Sequence, residues 1–277
     1  MKRLLFLIFL PTRFYSGSPR EVNQTVGRLD VSENAPHYQA NLIIVNPEDD
    51  LEEACMGSII HKRWILTAAH CLYHLTNPKY LIIIVGTANF SGTGGTYYEY
   101  EMHKSHEKWN KTPVNDIALI RLKKDILFTE KINFVKLSRT DNYKKNDIIA
   151  SLSSWGSSEN LPPLPRLSSK RFAVISEIKC HRQLSSLIEK RKNHPADIQF
   201  FKTALDKISL LVCTNRVKRG GNLCHGDSGA PLIFNDTLIG IVSSSYECSN
   251  RPGLSTRISK YIDWIEQQMS SFSEKLP

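Results

Sequence analysis

An all-β fold of the sandwich or barrel kind is predicted for this chain by three observations. Short runs of β-branched and aromatic residues recur along it, Gly, Pro, Asn and Ser punctuate those runs, and helical periodicity is confined to two places. The runs, in order, are Asn41 to Val45, Tyr80 to Gly86, Ile117 to Leu122, Ile148 to Leu152 and Leu238 to Ser243. Helical spacing appears at Ile198, Phe201, Leu205 and Ile208, within an amphipathic stretch from Asp197 to Leu211, and in the tail at Ile258, Tyr261, Ile262 and Ile265. Both are expected to be packed helices. A chain of 277 residues suffices for one large all-β unit or two small domains with a substantial core. No repeat, low-complexity segment or linker-like boundary divides it.

The amino-terminal end reads as an export signal. Met1-Lys2-Arg3, the apolar run Leu4 to Leu10 and the small residues Ser16, Gly17 and Ser18 have the layout of a secretory signal peptide over residues 1–18. Pro11 and Arg13 cut the apolar stretch short, and no other run approaches membrane-spanning length. Six cysteines, an even number in an exported chain, fit an oxidising compartment and up to three disulfides, for which fifteen pairings exist. Acceptor patterns for N-glycosylation at Asn23, Asn89, Asn110 and Asn235 agree with a secreted, extracellular protein. A formal charge of +9 suits acidic partners such as sulfated polysaccharides, but a merely basic, solvated surface is the plainer reading. No basic stripe with interleaved aromatics points to nucleic acid.

Three short motifs carry chemistry. In Gly226-Asp227-Ser228-Gly229, glycines on both sides allow a tight turn with the hydroxyl exposed and the N–H groups of Gly226 and Ser228 facing one concavity. In Leu66-Thr67-Ala68-Ala69-His70-Cys71, a histidine follows a small-residue turn beside a cysteine. In Asn115-Asp116-Ile117-Ala118-Leu119-Ile120, an acid opens an apolar strand, where a buried carboxylate can receive an imidazole N–H. Singly, each has an ordinary reading: a plain loop, a packed histidine, a strand cap. Together, in the order His, Asp, Ser, they follow the arrangement of the chymotrypsin barrels and not that of subtilisins or α/β-hydrolases.

On these motifs the sequence, from about Thr25 to Met269, resembles the trypsin/chymotrypsin family of serine proteases (peptidase S1), and its pattern is similar to invertebrate chymotrypsin-like enzymes with three disulfides. The resemblance implies two six-stranded antiparallel Greek-key β-barrels, about 25–138 and 139–257, with a C-terminal α-helix at about 258–269 in a protease domain of residues 25–277, preceded by a short propeptide at 19–24. It implies Ser228 as nucleophile, His70 as general base, Asp116 as the residue orienting the base, and Gly226 and Ser228 N–H as the oxyanion hole. It further implies the disulfides Cys55–Cys71, Cys180–Cys213 and Cys224–Cys248. A bond of many vertebrate relatives is missing as a pair, its positions being Ala150 and Phe234. No cofactor is needed. Protein or peptide substrates and protein protease inhibitors are the implied partners of a monomer that binds neither nucleic acid nor membrane.

Specificity and activation depart from the family pattern. The pocket floor falls on Asn222, six residues before Ser228, with Ser243, Ser245 and Gly253 along the pocket, so a neutral P1 side chain is expected over a basic one. The family's Ser-Trp-Gly strand reads Ser243-Ser244-Ser245, without the indole wall. Between Cys180 and Cys213 lies an insertion, expected at the rim of the cleft or as a surface loop with its own helix. At the activation site, relatives are cut after a basic residue to expose Ile-Val-Gly-Gly, and here Thr25-Val26-Gly27-Arg28 follows Gln24. In the family the new α-amino group pairs with the carboxylate matched by Asp227, which without it is expected to be buried with no cation. These departures leave a second reading, a secreted homologue that keeps the fold and acts by binding in a proteolytic cascade. His103-x-x-His106 lacks cysteine or carboxylate company, reads as solvated surface, and gives no metal site; no acidic loop is spaced for calcium.

Overall fold

Short runs rich in apolar and β-branched residues form most of the strands; Trp64–Thr67, Ala118–Leu122 and Gly253–Arg257 are buried throughout, whereas Ile149–Ser154 and Ser168–Ile175 alternate buried and more exposed positions. The computed structural model describes residues 30–31, 35–46, 51–73, 75, 80–145, 148–156, 163–190, 194–217, 223–224, 226–244 and 252–273. In chain order the strands are β1 (Asp30–Val31), β2 (Gln39–Asn46), β3 (Leu51–His61), β4 (Trp64–Thr67), β5 (Tyr80–Val85), β6 (Thr96–Ser105), β7 (Ala118–Leu122), β8 (Lys136–Leu137), β9 (Ile149–Ser154), β10 (Ser168–Ile175), β11 (Leu211–Arg216), β12 (Pro231–Phe234), β13 (Thr237–Ser244) and β14 (Gly253–Arg257). Helices α1 (Glu177–Lys190) and α2 (Pro195–Asp206) lie between β10 and β11, and α3 (Ile262–Ser273) ends the fold.

Two six-stranded antiparallel barrels result. The first closes in the order β2-β3-β4-β7-β6-β5. In the second, β9 pairs with both β10 and β12, which closes the path β10-β11-β14-β13-β12-β9, while β1 adds to β10 and β8 runs parallel to β13. The hairpin from β12 to β13 turns on Asn235 and Asp236, both at positive φ (46° and 55°), a conformation that suits the right-handed twist of the flanking strands. Each strand run expected from the sequence falls within a residue or two of an observed strand. The tail begins as a 3-10 turn at Ile258–Lys260, and α3 runs four residues beyond the expected end, to Ser273. Ile258, Tyr261, Ile262 and Ile265 pack into the core of the first barrel although they follow the second in sequence.

The insertion is a pair of packed helices. Only the second was foreseen, and it is shorter than the Asp197 to Leu211 stretch: Pro195 occupies its first turn, Asp206 closes it, and Leu211 already belongs to β11. The first, α1, buries Cys180, Leu184 and Leu187 at helical spacing. These side chains meet Phe201, Ala204, Leu211, Cys213 and Leu254 in a separate apolar cluster. The Cys180–Cys213 disulfide lies inside it, with Cα atoms 6.1 Å apart. Cys55 and Cys71 are likewise bonded. Cys224 is disulfide-bonded, and its expected partner Cys248 lies outside the described residues. No described helix is long and apolar enough to cross a membrane.

Phe201 is 2 % exposed and forms the centre of the helical cluster. A Phe201→Ala variant is expected to lose roughly 3–5 kcal/mol of stability by cavity formation, read as a lowered urea midpoint.

Candidate active site

His70 opens a 3-10 turn, His70–Leu72, three residues after β4 ends, and the adjoining Cys71 is tied by its disulfide to Cys55 of β3. The ring is aimed by Asp116. His70 Nδ1–H donates to Asp116 Oδ2 at 2.7 Å, and the His70 backbone N–H donates to Oδ1 at 2.9 Å. A carboxylate only accepts, so the proton sits on Nδ1 and Nε2 is left with a free lone pair. Burial of the ring depresses its pKa, but the hydrogen bond it donates to Asp116 and the negative charge of that carboxylate together outweigh burial, and the net displacement is upward from 6.5.

Asp116 is 2 % exposed and is held by groups from distant parts of the chain. Ser243 Oγ donates to its Oδ2, and Thr256 Oγ1 donates to its carbonyl at 2.7 Å. Asn115 before it stands at φ +59°, where Asn is one of the few tolerated side chains, and its Oδ1 accepts from Tyr261 OH at 3.0 Å. Ser243, expected along the pocket and beside the acid, thus spends its hydroxyl on the acid. Thr256 is not among the candidates read from the sequence, and Tyr261 enters only as part of the apolar face of the tail. A hydroxyl within the wholly buried strand β14 was the available signal, but its partner lies 140 positions away.

The turn bearing Ser228 is dictated by its glycines. Gly226 and Gly229 stand at φ +82° and +75°. A Cβ on Gly229 would lie 2.1 Å from the Met56 carbonyl oxygen and 2.5 Å from Thr67 Oγ1. Met56 N–H donates to the Ser228 carbonyl at 2.8 Å, and Gly229 N–H donates to the Val242 carbonyl at 2.9 Å. Ser228 and Gly229 are therefore pinned at the seam between β3 of the first barrel and β13 of the second, with Thr67 at the end of β4 packed close to Gly229. Among the described residues the ring hydrogen-bonds Asp116 and lies, through Nε2, 3.8 Å from the Cys71 sulfur; no hydrogen bond joins it to Ser228 Oγ. Among the described residues the Gly226 and Ser228 N–H groups donate to no backbone carbonyl.

Asp227 has 0 % exposure, and it is not left without a cation. Lys170 Nζ lies 2.8 Å from both of its carboxylate oxygens. This corrects the expectation that an uncut chain buries Asp227 unpaired. Lys170 occupies the inward position between Ser168 and Phe172 in the alternating strand β10, where a lysine is anomalous and is the one sequence signal of this pairing.

Of the remaining pocket and activation residues, Gly253 is buried, and a Cβ there would come 2.1 Å from Leu223 Cδ1. Asn222, Ser245 and Thr25 lie outside the described residues, as do the leader and propeptide. His103 and His106 are not solvated as expected: both are partly buried, their pKa values are lowered chiefly by desolvation, and the His106 ring lies 5.4 Å from that of Tyr261 and 5.1 Å from that of Trp264. His70 and the sulfurs of Cys55 and Cys71 cluster within 4.8 Å, but both sulfurs are spent in a disulfide and offer no thiolate to a metal.

A base oriented by a buried acid and a serine on a glycine-bounded turn, where two barrels meet, define a chymotrypsin-like protein. The chain belongs to the trypsin family of serine endopeptidases, whose family model matches residues 25–265. It is 31% identical to trypsin beta of Drosophila erecta, over 76% of this chain and 77% of that protein. Trypsin 5G1 of Aedes aegypti is 25% identical over 93% of this chain and 89% of its own length. Among solved structures, neuropsin, a serine protease expressed in the limbic system of mouse brain, superposes with a TM-score of 0.67 at 25% identity, covering 87% of this chain and 99% of that one.

The clash at Gly229 has a direct consequence. Gly229→Ala is expected to cost more than about 2 kcal/mol, combining positive-φ strain with collision against the Met56 carbonyl, and to appear as a lower thermal unfolding midpoint.

Proposed function

We propose that this chain is a secreted endopeptidase that cleaves peptide bonds through a Ser228 acyl-enzyme. The observation that carries this reading is the buried Asp116 carboxylate 2.7 Å from His70 Nδ1, which leaves Nε2 as the basic nitrogen on the ring's other side. His70 takes the Ser228 hydroxyl proton as Oγ attacks the substrate carbonyl, and the tetrahedral oxyanion is received by Gly226 and Ser228 N–H. Collapse expels the leaving amine, which His70 protonates. Water, deprotonated by the same ring, then releases the acyl group. Asp116 holds the tautomer and stabilises the imidazolium, while Ser243 and Thr256 hold Asp116.

The finer features rest on the sequence. Residues 1–18 support export, with a propeptide at 19–24 and the protease domain from 25 onward. Asn222 at the pocket floor supports a neutral P1 residue, since no carboxylate there meets Lys or Arg.

The reading is tested by treating the purified chain, its terminus verified by mass, with an organophosphonate probe. Labelling of the wild type and none of Ser228→Ala is expected. A wild type that stays unlabelled both uncut and with its terminus at Thr25 leaves the binding homologue as the function. Among peptide substrates, kcat/KM is expected to favour medium-sized neutral P1 residues over Lys and Arg, and a preference for Arg would overturn the pocket assignment.

The pH profile follows from the upward displacement of His70. The ring works as base only when neutral, so activity falls as pH drops through its pKa, and the acid limb of kcat/KM is expected to have its midpoint above 6.5. Asp116→Asn should move that midpoint down and lower kcat by roughly 10⁴-fold, a magnitude taken from the Ser-His-Asp triad of this same family.

A further inference from the structure

We propose that Lys170 does in the uncut chain what a newly cut amino terminus does elsewhere in the family, so that proteolytic activation is not required. The inference rests on the reading of Ser228 as nucleophile.

The Lys170 ammonium is 3 % exposed and has three N–H donors, and three acceptors surround it: both Asp227 oxygens at 2.8 Å and the Gly156 carbonyl at 3.1 Å. Asp227 Oδ2 also accepts from Cys224 N–H at 2.8 Å. The lysine is delivered from a rigid element, since β10 pairs with β9 at Lys170↔Leu152 and its neighbours Ser168 and Phe172 are buried on the same face. One cation thereby joins β10, the Trp155-Gly156 stretch and the Cys224 to Asp227 turn. The joint lies at the backbone of the nucleophile turn: a Cβ on Gly226 would be 3.1 Å from Gly156 Cα.

Lys170 is in this sense a positioning residue. It acts through Asp227 on the N–H groups of Gly226 and Ser228, and it touches no reacting atom. An α-amino group entering the same site would have to displace an ammonium that already meets both carboxylate oxygens, because two cations on one buried carboxylate leave one charge uncompensated. The sequence around Thr25 agrees: Gln24 offers no basic residue to cut after, and Arg28 stands where the family pattern has its second glycine.

The test compares three forms, each checked by intact mass: the uncut chain with its terminus upstream of Thr25, the same chain carrying an inserted site for an added protease so that cutting exposes Thr25, and uncut Lys170→Met. The uncut wild type is expected to label at Ser228 and to hydrolyse a peptide substrate without further cutting. Labelling confined to the form cut before Thr25 overturns the inference while sparing the endopeptidase reading; absence of labelling in both forms removes that reading itself. Uncut Lys170→Met is expected to lose on the order of a hundredfold in kcat with KM little changed, the signature of disturbed oxyanion donors. Labelling of this variant at the wild-type rate overturns the assignment. Should Lys170→Met not accumulate folded, Lys170→Met/Asp227→Asn, which buries neither charge, takes its place with the same two outcomes, and the uncut wild type decides independently of both.

Discussion

A carboxylate removed from water must find compensation nearby, and the nucleophile turn of this protein is organised around that necessity. Asp227 has no exposed surface, and its charge is met by Lys170 on a strand of the second barrel and by the Cys224 N–H. Removing one partner of such a pair typically costs 3–5 kcal/mol, because a bare charge is left behind. The turn cannot relax away from β10 without incurring that cost. The positions of Gly226 and Ser228 follow from the pair as much as from the glycines themselves.

The second buried acid is handled differently. Among the described residues Asp116 has no lysine or arginine paired with it, and its oxygens accept from the His70 ring, the His70 backbone and the Ser243 hydroxyl. Neutral donors stabilise the carboxylate without cancelling its charge, and that residual field raises the pKa of His70 against the effect of burial. A cation placed there would quench the same field. One acid is thus neutralised to hold shape and the other kept charged to tune a base, and the difference lies in which donors the fold brings.

Both arrangements depend on contacts across the seam. Met56 and Ala88 of the first half pack with Leu152, Trp155, Leu223, Ala230 and Val242 of the second. Trp155 Nε1–H donates to the Ala88 carbonyl at 2.9 Å, inside that cluster. The last helix crosses back to fill the first barrel, with Trp64 and Phe272 ring centroids 6.0 Å apart. The site is held from both sides by apolar packing, which keeps water from competing for the hydrogen bonds of Asp116 and Asp227.

Much was legible in the sequence because it was local. Short β-branched and aromatic runs, glycines needed at positive φ, and the order of His70, Asp116 and Ser228 are all read from short motifs and their order along the chain. So was the irregularity at Thr25 to Arg28. Helix α1 escaped notice because its inward face is built on a cysteine and two leucines, a stripe too sparse to stand out before the disulfide and Phe201 completed it. Lys170 was written plainly at an inward strand position, but a lysine there acquires meaning only from what lies opposite, and Asp227 is 57 residues away. The chain by itself determined the chemistry, since residue types and backbone demands are set one window at a time. The tertiary structure alone decided which charge answers which, because desolvation makes long-range pairing compulsory and no local pattern encodes the partner.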